Sequence, residues 1–221
     1  MAAVVRFAGE LLSMPRRCFA VVFVFFDIEE MGLFGSSKFV TYVQTRWQGR
    51  VHSVHTIDMC GFTTQQDRAN EFVMAIKEPT HPSFARLYAL AASLESQERL
   101  SRHPAQLSTV ISRGRLAGIS DFLSFKDVLP TTGLGEPRRD DGSLRNPNHH
   151  AVTDTPETID IEYLDASAGT FFRAIAILCW DSTGTWEKQK EEETPASAPS
   201  TRTTKSEFTE TEEIRGEKRK R

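Results

Sequence analysis

The chain has 221 residues, a length that fits one domain with an appendage. With 39% hydrophobic and 26% charged residues it carries enough apolar material for a packed core. A net charge of -3 argues against a dedicated nucleic-acid surface, and three widely spaced cysteines (Cys18, Cys60, Cys179) exclude a disulfide scaffold and a thiolate zinc finger.

Residues 1–12 place apolar side chains at helical spacing, with Arg6 and Glu10 one turn apart. They predict a core helix, since the charged start and unbroken apolar stretch of a signal peptide are missing. Residues 19–26 are apolar throughout and rich in β-formers, the pattern of a strand buried on both faces. Residues 32–46 set Leu33, Phe39, Val40 and Val43 on one helical stripe, and a strand over 51–57 ends at Asp58. A helix is expected over 82–95, followed by a Ser- and Arg-rich stretch without clear periodicity. A short apolar piece at 128–129 is expected to return to the sheet. Residues 131–149 read as a long Gly-, Pro-, Asn- and Asp-rich loop, of a length that points to function. Residues 161–180 predict a final amphipathic helix, with Tyr163, Leu164, Phe171, Phe172, Ile175 and Leu178 as its apolar members. Strands alternating with helices predict an α/β fold over 1–180. No apolar run reaches the ~20 residues of a membrane helix.

Residues 187–221 form a tail of nine acids and nine bases with only Phe208 and Ile214 as large apolar residues, and it is expected to be disordered. Its closing Lys218-Arg219-Lys220-Arg221 is read as a solvated basic end, with polyanion binding as the other reading.

Three polar clusters fall just past predicted strand ends, where α/β folds place their sites. Asp27-Ile28-Glu29-Glu30 lies between the apolar run and a Gly-rich helix start, so its two carboxylates can point in different directions. Asp58-Met59 closes the next strand; a single Asp there is most often a helix cap or turn former. His149-His150 lies in the long loop with Asp154 nearby, which suits an imidazole held by a carboxylate. Carboxylates with imidazole and no thiolate are the ligands of a catalytic zinc site.

In wording and order these clusters resemble peptidase family M28, the co-catalytic zinc exopeptidases related to glutaminyl cyclases. The resemblance rests on Glu29-Glu30-Met31-Gly32-Leu33-Phe34-Gly35-Ser36, on Asp58-Met59-Cys60-Gly61, on Ser120-Asp121-Phe122, and on residues 146–160 with His150 and Asp154. It implies a three-layer sandwich with a central, mostly parallel sheet flanked by helices, lacking its first strands. It implies zinc, with Glu29 as general base, Glu30 and His150 on one ion, Asp58 on another, and Asp121 and Asp154 orienting ligands. His149 stands where many members carry an oxyanion-donating Tyr. The family's His-x-Asp element and bridging Asp would lie upstream of Met1, so three of five ligands are expected here, with at most weak binding of one zinc. The substrate implied is the N-terminus of a peptide or protein, with no nucleic acid and no membrane as partner. The alternatives are a non-catalytic interaction protein on the same fold and a cyclase-like enzyme. As written the chain is expected in the cytosol, while a longer form could be exported.

Overall fold

The computed structural model describes Phe7, Gly9 and residues 20–63, 71–100 and 105–180. The remaining residues predicted for the first helix, Phe19 and the charged tail lie outside the described residues; Phe7 and Gly9 themselves are helical.

Four strands form one sheet in the order β1-β4-β2-β3: β1 (Val54–Ile57), β2 (Glu71–Lys77), β3 (Gln106–Ser112) and β4 (Thr131–Gly135). β1 runs parallel to β4 and β2 parallel to β3, while β2 and β4 are antiparallel. The helices are α1 (Phe34–Arg46), α2 (Pro82–Arg99), the single turn α3 (Phe122–Phe125) and α4 (Ile161–Trp180). Side chains alternate faces along a strand, and here that alternation builds two layers of cover. Leu134, Phe72, Met74 and Ile76 join Leu87 and Tyr88 of α2 and Tyr163, Phe171 and Ile175 of α4 in one core. On the other face Phe122 of α3 lies against Gly133, and α1 packs on α3. The result is the expected α/β arrangement of a mixed sheet flanked by helices.

Local chemistry sets the element ends. Pro82 opens α2 at a position where its missing N–H is not needed, and His81 caps it by accepting the Ser83 N–H at 3.3 Å. At the far end Arg99, 5% exposed, pairs with Glu162 at 2.8 Å and with Asp165, so the end of α2 is bound to the start of α4.

Several expectations are corrected. Residues 20–26 enter no ladder, and Val22, Val24 and Phe25 are exposed, whereas Val21 and Phe23 pack on the core. An apolar run becomes a two-faced strand only where neighbours lie on both sides, and no described strand pairs with it. The sheet returns at Thr131–Gly135, inside the expected loop, while 128–129 form a turn. The strands Glu71–Lys77 and Gln106–Ser112 were not anticipated. The predicted strand shortens to Val54–Ile57, α2 extends to Arg99, and Leu164 faces outward at 37% exposure. Among the described residues no helix is long and apolar enough to cross a membrane.

Tyr163, fully buried, donates its hydroxyl to the Val73 carbonyl at 2.9 Å and so ties α4 to β2. Tyr163→Phe should lose roughly 1 kcal/mol. That corresponds to a melting temperature about 2–4 °C lower by circular dichroism; an unchanged melt would show that the bond contributes nothing net.

Candidate active site

The Glu29-Glu30 pair sits on a turn that opens α1. The Glu29 carbonyl accepts the N–H groups of Gly32 at 3.0 Å and Leu33 at 2.9 Å, which turns the chain out of the extended segment. Gly35 lets α1 approach closely, because a Cβ there would lie 2.8 Å from the Asp27 carboxylate. Asp58 follows β1, its N–H donating to the Leu134 carbonyl at 3.1 Å. His150 lies in the loop after β4, 120 residues from Glu30, yet its Nε2 meets Glu30 Oε1 at 2.8 Å. His149 stacks on His150 with ring centroids 3.8 Å apart.

The backbone is forced at the same places. Ile28, Leu33, Met59 and His150 all have positive φ, between 54° and 61°. For side chains with a Cβ this region is uncommon, and for β-branched Ile28 it is an outlier. Such conformations persist where the surrounding structure imposes them, and they gather at functional sites.

Electrostatics bind the clusters together. The Glu29 carboxyl is pushed above its ordinary range by burial first, then by Asp58, Glu30 and Asp121, with His150 opposing. Burial and Asp58 also raise Asp121, which the Ser36 hydroxyl partly offsets. Glu30, Asp58, Asp121 and His150 thus all lie within electrostatic reach of Glu29. The Glu30 and His150 side chains are 66% and 59% exposed, so their contact stabilises the fold by at most about 1 kcal/mol. Stability does not account for it.

The donor set fits a cation such as zinc. Crowded carboxylates repel one another without one, the Asp121 Oδ1 atom is buried with no hydrogen-bond partner among the described residues, and a carboxylate and an imidazole already converge at Glu30 and His150. Among the described residues no three ligating side chains close round one point, so Asp58 stands apart from that pair.

Beside this cluster lies a cleft of about 170 Å³ whose walls include Met59, Phe62 and Ile159 together with Glu136, His149 and Asp154. Asp154 therefore stands by His149 in the cleft, while the His150 ring faces Glu30. Glu136 escaped sequence reasoning because it fell in the expected loop; the signal was a lone charge directly after Gly133-Leu134-Gly135. It is 6% exposed and its Oε1 accepts the Phe62 N–H at 2.7 Å.

A family model described as Peptidase family M28 matches residues 1–175. Among solved structures the chain is similar to the LapA aminopeptidase of Legionella pneumophila, at 20% identity and a TM-score of 0.59, over 80% of this chain and 44% of that one. It is similar to BSAP, a zinc aminopeptidase from Bacillus subtilis, at 21% and 0.51, over 70% and 34%. It is also similar to the gamma-secretase component Nicastrin, at 14% and 0.58, over 80% and 35%. The chain thus spans less than half the length of each of these structures, and at such identities the likeness shows the fold. No curated protein matches it in sequence.

Burial raises the Glu136 carboxyl to about 7 from 4.5, and the N–H groups of Phe62 and Gly61 and the Lys77 ammonium only partly offset it. A carboxyl raised on folding makes the folded chain the better proton binder. Its stabilising effect is therefore full below the unfolded value and is lost as pH rises through about 7, by up to ~3 kcal/mol. Melting temperature should fall from about pH 5 to about pH 8, and Glu136→Gln should flatten that slope in differential scanning calorimetry; an unaltered slope would assign it to other groups.

Proposed function

The chain belongs to peptidase family M28, and from that premise we propose that it serves as a zinc-dependent aminopeptidase, hydrolysing the N-terminal peptide bond of peptides or proteins. The observation that carries this reading is the Glu30–His150 contact at 2.8 Å, beside a half-buried Glu29 whose proton affinity is raised. The descriptions of LapA and BSAP as aminopeptidases support it.

In this reading Glu30 and His150 would hold one zinc, and Asp58 would be a ligand of a second. A bound zinc supplies Lewis acidity to the scissile carbonyl and the attacking water. Glu29 takes the proton from that water and returns it to the leaving amine, a task for which a carboxyl raised toward neutrality is suited. Asp121, with its orphaned oxygen, and Asp154, in the cleft, orient neighbouring groups. His149, fixed by its stacking on His150, offers an N–H to the developing oxyanion. The substrate's first side chain enters the cleft beside Met59, Phe62 and Ile159.

On an aminoacyl nitroanilide, Glu29→Gln should lower turnover by roughly 10²–10⁴-fold while zinc content, read by atomic absorption, stays as in the parent chain. His150→Ala should lose zinc and turnover together. Turnover undiminished in Glu29→Gln would sink the reading, and conversion of an N-terminal Gln peptide to its cyclic product, with other N-termini untouched, would replace it by the cyclase one.

A further inference from the structure

The turn that carries Asp58 is held from behind by two buried charges to which the reaction above gives no part. Glu136 and Lys77 are 6% and 4% exposed. The Glu136 carboxylate accepts the Phe62 N–H at 2.7 Å and is also reached by the Gly61 N–H, while its own N–H donates to the Met59 carbonyl at 2.8 Å. Asp58, Met59, Gly61 and Phe62 therefore form one short segment gripped at four points, one from Leu134 and three from Glu136. Lys77 reaches the same place from β2. Its Nζ lies over Gly135, 2.6 Å from where a Cβ would sit, beside the Asp58 carbonyl and within electrostatic reach of Glu136 and Cys60. A buried carboxylate needs such company, since an unpaired charge in the interior is strongly unfavourable.

We propose that Glu136 is a positioning residue for Asp58: its carboxylate clamps the Gly61–Phe62 amides and so fixes the turn from which Asp58 reaches the metal, with Lys77 as the counter-charge that keeps the clamp buried. This rests on the reading of Asp58 as a zinc ligand. The turn itself needs the clamp, because Met59 has a φ of 55°, an unfavourable conformation that the bond to Leu134 before it and the bonds to Glu136 after it hold in place. Groups that orient metal ligands typically change metal affinity 10–100-fold when removed.

The test uses the full chain in four forms: unaltered, Glu136→Gln, Glu136→Leu, and the double variant Lys77→Met with Glu136→Leu. Gln keeps an oxygen for the two amides, Leu does not, and the double variant also removes the orphaned lysine. Glu136 and Lys77 lie within electrostatic reach of each other, and removing both buried charges together leaves neither uncompensated, so the double variant keeps the fold while lacking the clamp. Phe62 amide exchange should stay within about threefold of the unaltered chain in Glu136→Gln and speed up at least about tenfold in both Leu variants. Zinc affinity, read by competition with a chromophoric chelator, should fall about 10- to 100-fold in both Leu variants and recover in Glu136→Gln. Unchanged Phe62 exchange in Glu136→Leu overturns the proposal. So does a double variant that regains zinc affinity along with stability, since the pair would then be merely structural. An unaltered chain that takes up no zinc, with Phe62 exchange responding as stated, upholds the clamp and overturns Asp58 as ligand instead.

Discussion

The close approach of the Asp58 turn to β4 is the contact on which the rest of the site depends. β4 is buried along its whole length and lies between a parallel and an antiparallel neighbour. It has few apolar side chains with which to fill such a place. Its two threonines satisfy their hydroxyls internally, Thr131 on the Leu129 carbonyl at 2.8 Å and Thr132 on the Lys77 carbonyl at 3.1 Å, so their burial leaves no unpaired group. At Gly135 a Cβ would overlap the Asp58 carbonyl, so this position must carry no side chain if β1 is to deliver Asp58 where it does. One strand thereby sets the depth of Asp58, the height of Lys77 and the start of the loop that ends at His150.

That loop and the turn at Glu29 meet through strain. Among the described residues, four of the five non-glycine residues with positive φ are Ile28, Leu33, Met59 and His150, each inside or beside a polar cluster. Conformations of this kind cost of order 1–3 kcal/mol apiece, so the surrounding packing must offset them. Gly35 against Asp27 does so for the Glu turn, and the Leu134 and Glu136 bonds do so for Met59. Such turns re-aim side chains that ordinary backbone would point elsewhere. The meeting of Glu30 with His150 across 120 residues is the outcome.

The polar clusters were legible in the sequence because each is a run of unlike residues set against an apolar stretch, and the motifs keep their order. The long helices were legible for the same reason, through periodicity: α1 and α4 lie within a few residues of their expected ends. The sheet was not. Thr131–Gly135 has the composition of a loop, and its burial comes from the strands on either side rather than from its own hydropathy. Gln106–Ser112 is an edge strand with Val110 and Ile111 exposed, so its pattern gives no clean alternation. Residues 20–26 err in the opposite direction, since apolarity alone does not supply a ladder partner. Glu136 and Lys77 were hidden because a single charge in an apolar setting reveals its role only when its neighbours from other elements are known.

Adjacent carboxylates on one turn start from the same chemistry, and the fold separates them. Glu29 is half-buried, with Asp58, Glu30 and Asp121 raising its proton affinity. Glu30 is largely exposed and already engaged with the imidazole of His150. A carboxylate that must move a proton needs a raised affinity for it, and one that must hold a cation needs an open face and a second donor alongside. The bend that separates them is set by the backbone, the Glu29 carbonyl accepting the Gly32 and Leu33 N–H groups just after the pair. The positive φ at Ile28, immediately before the pair, fixes that bend. Beyond that bend Glu29 faces the carboxylates of Asp58 and Asp121, and Glu30 meets the imidazole of His150.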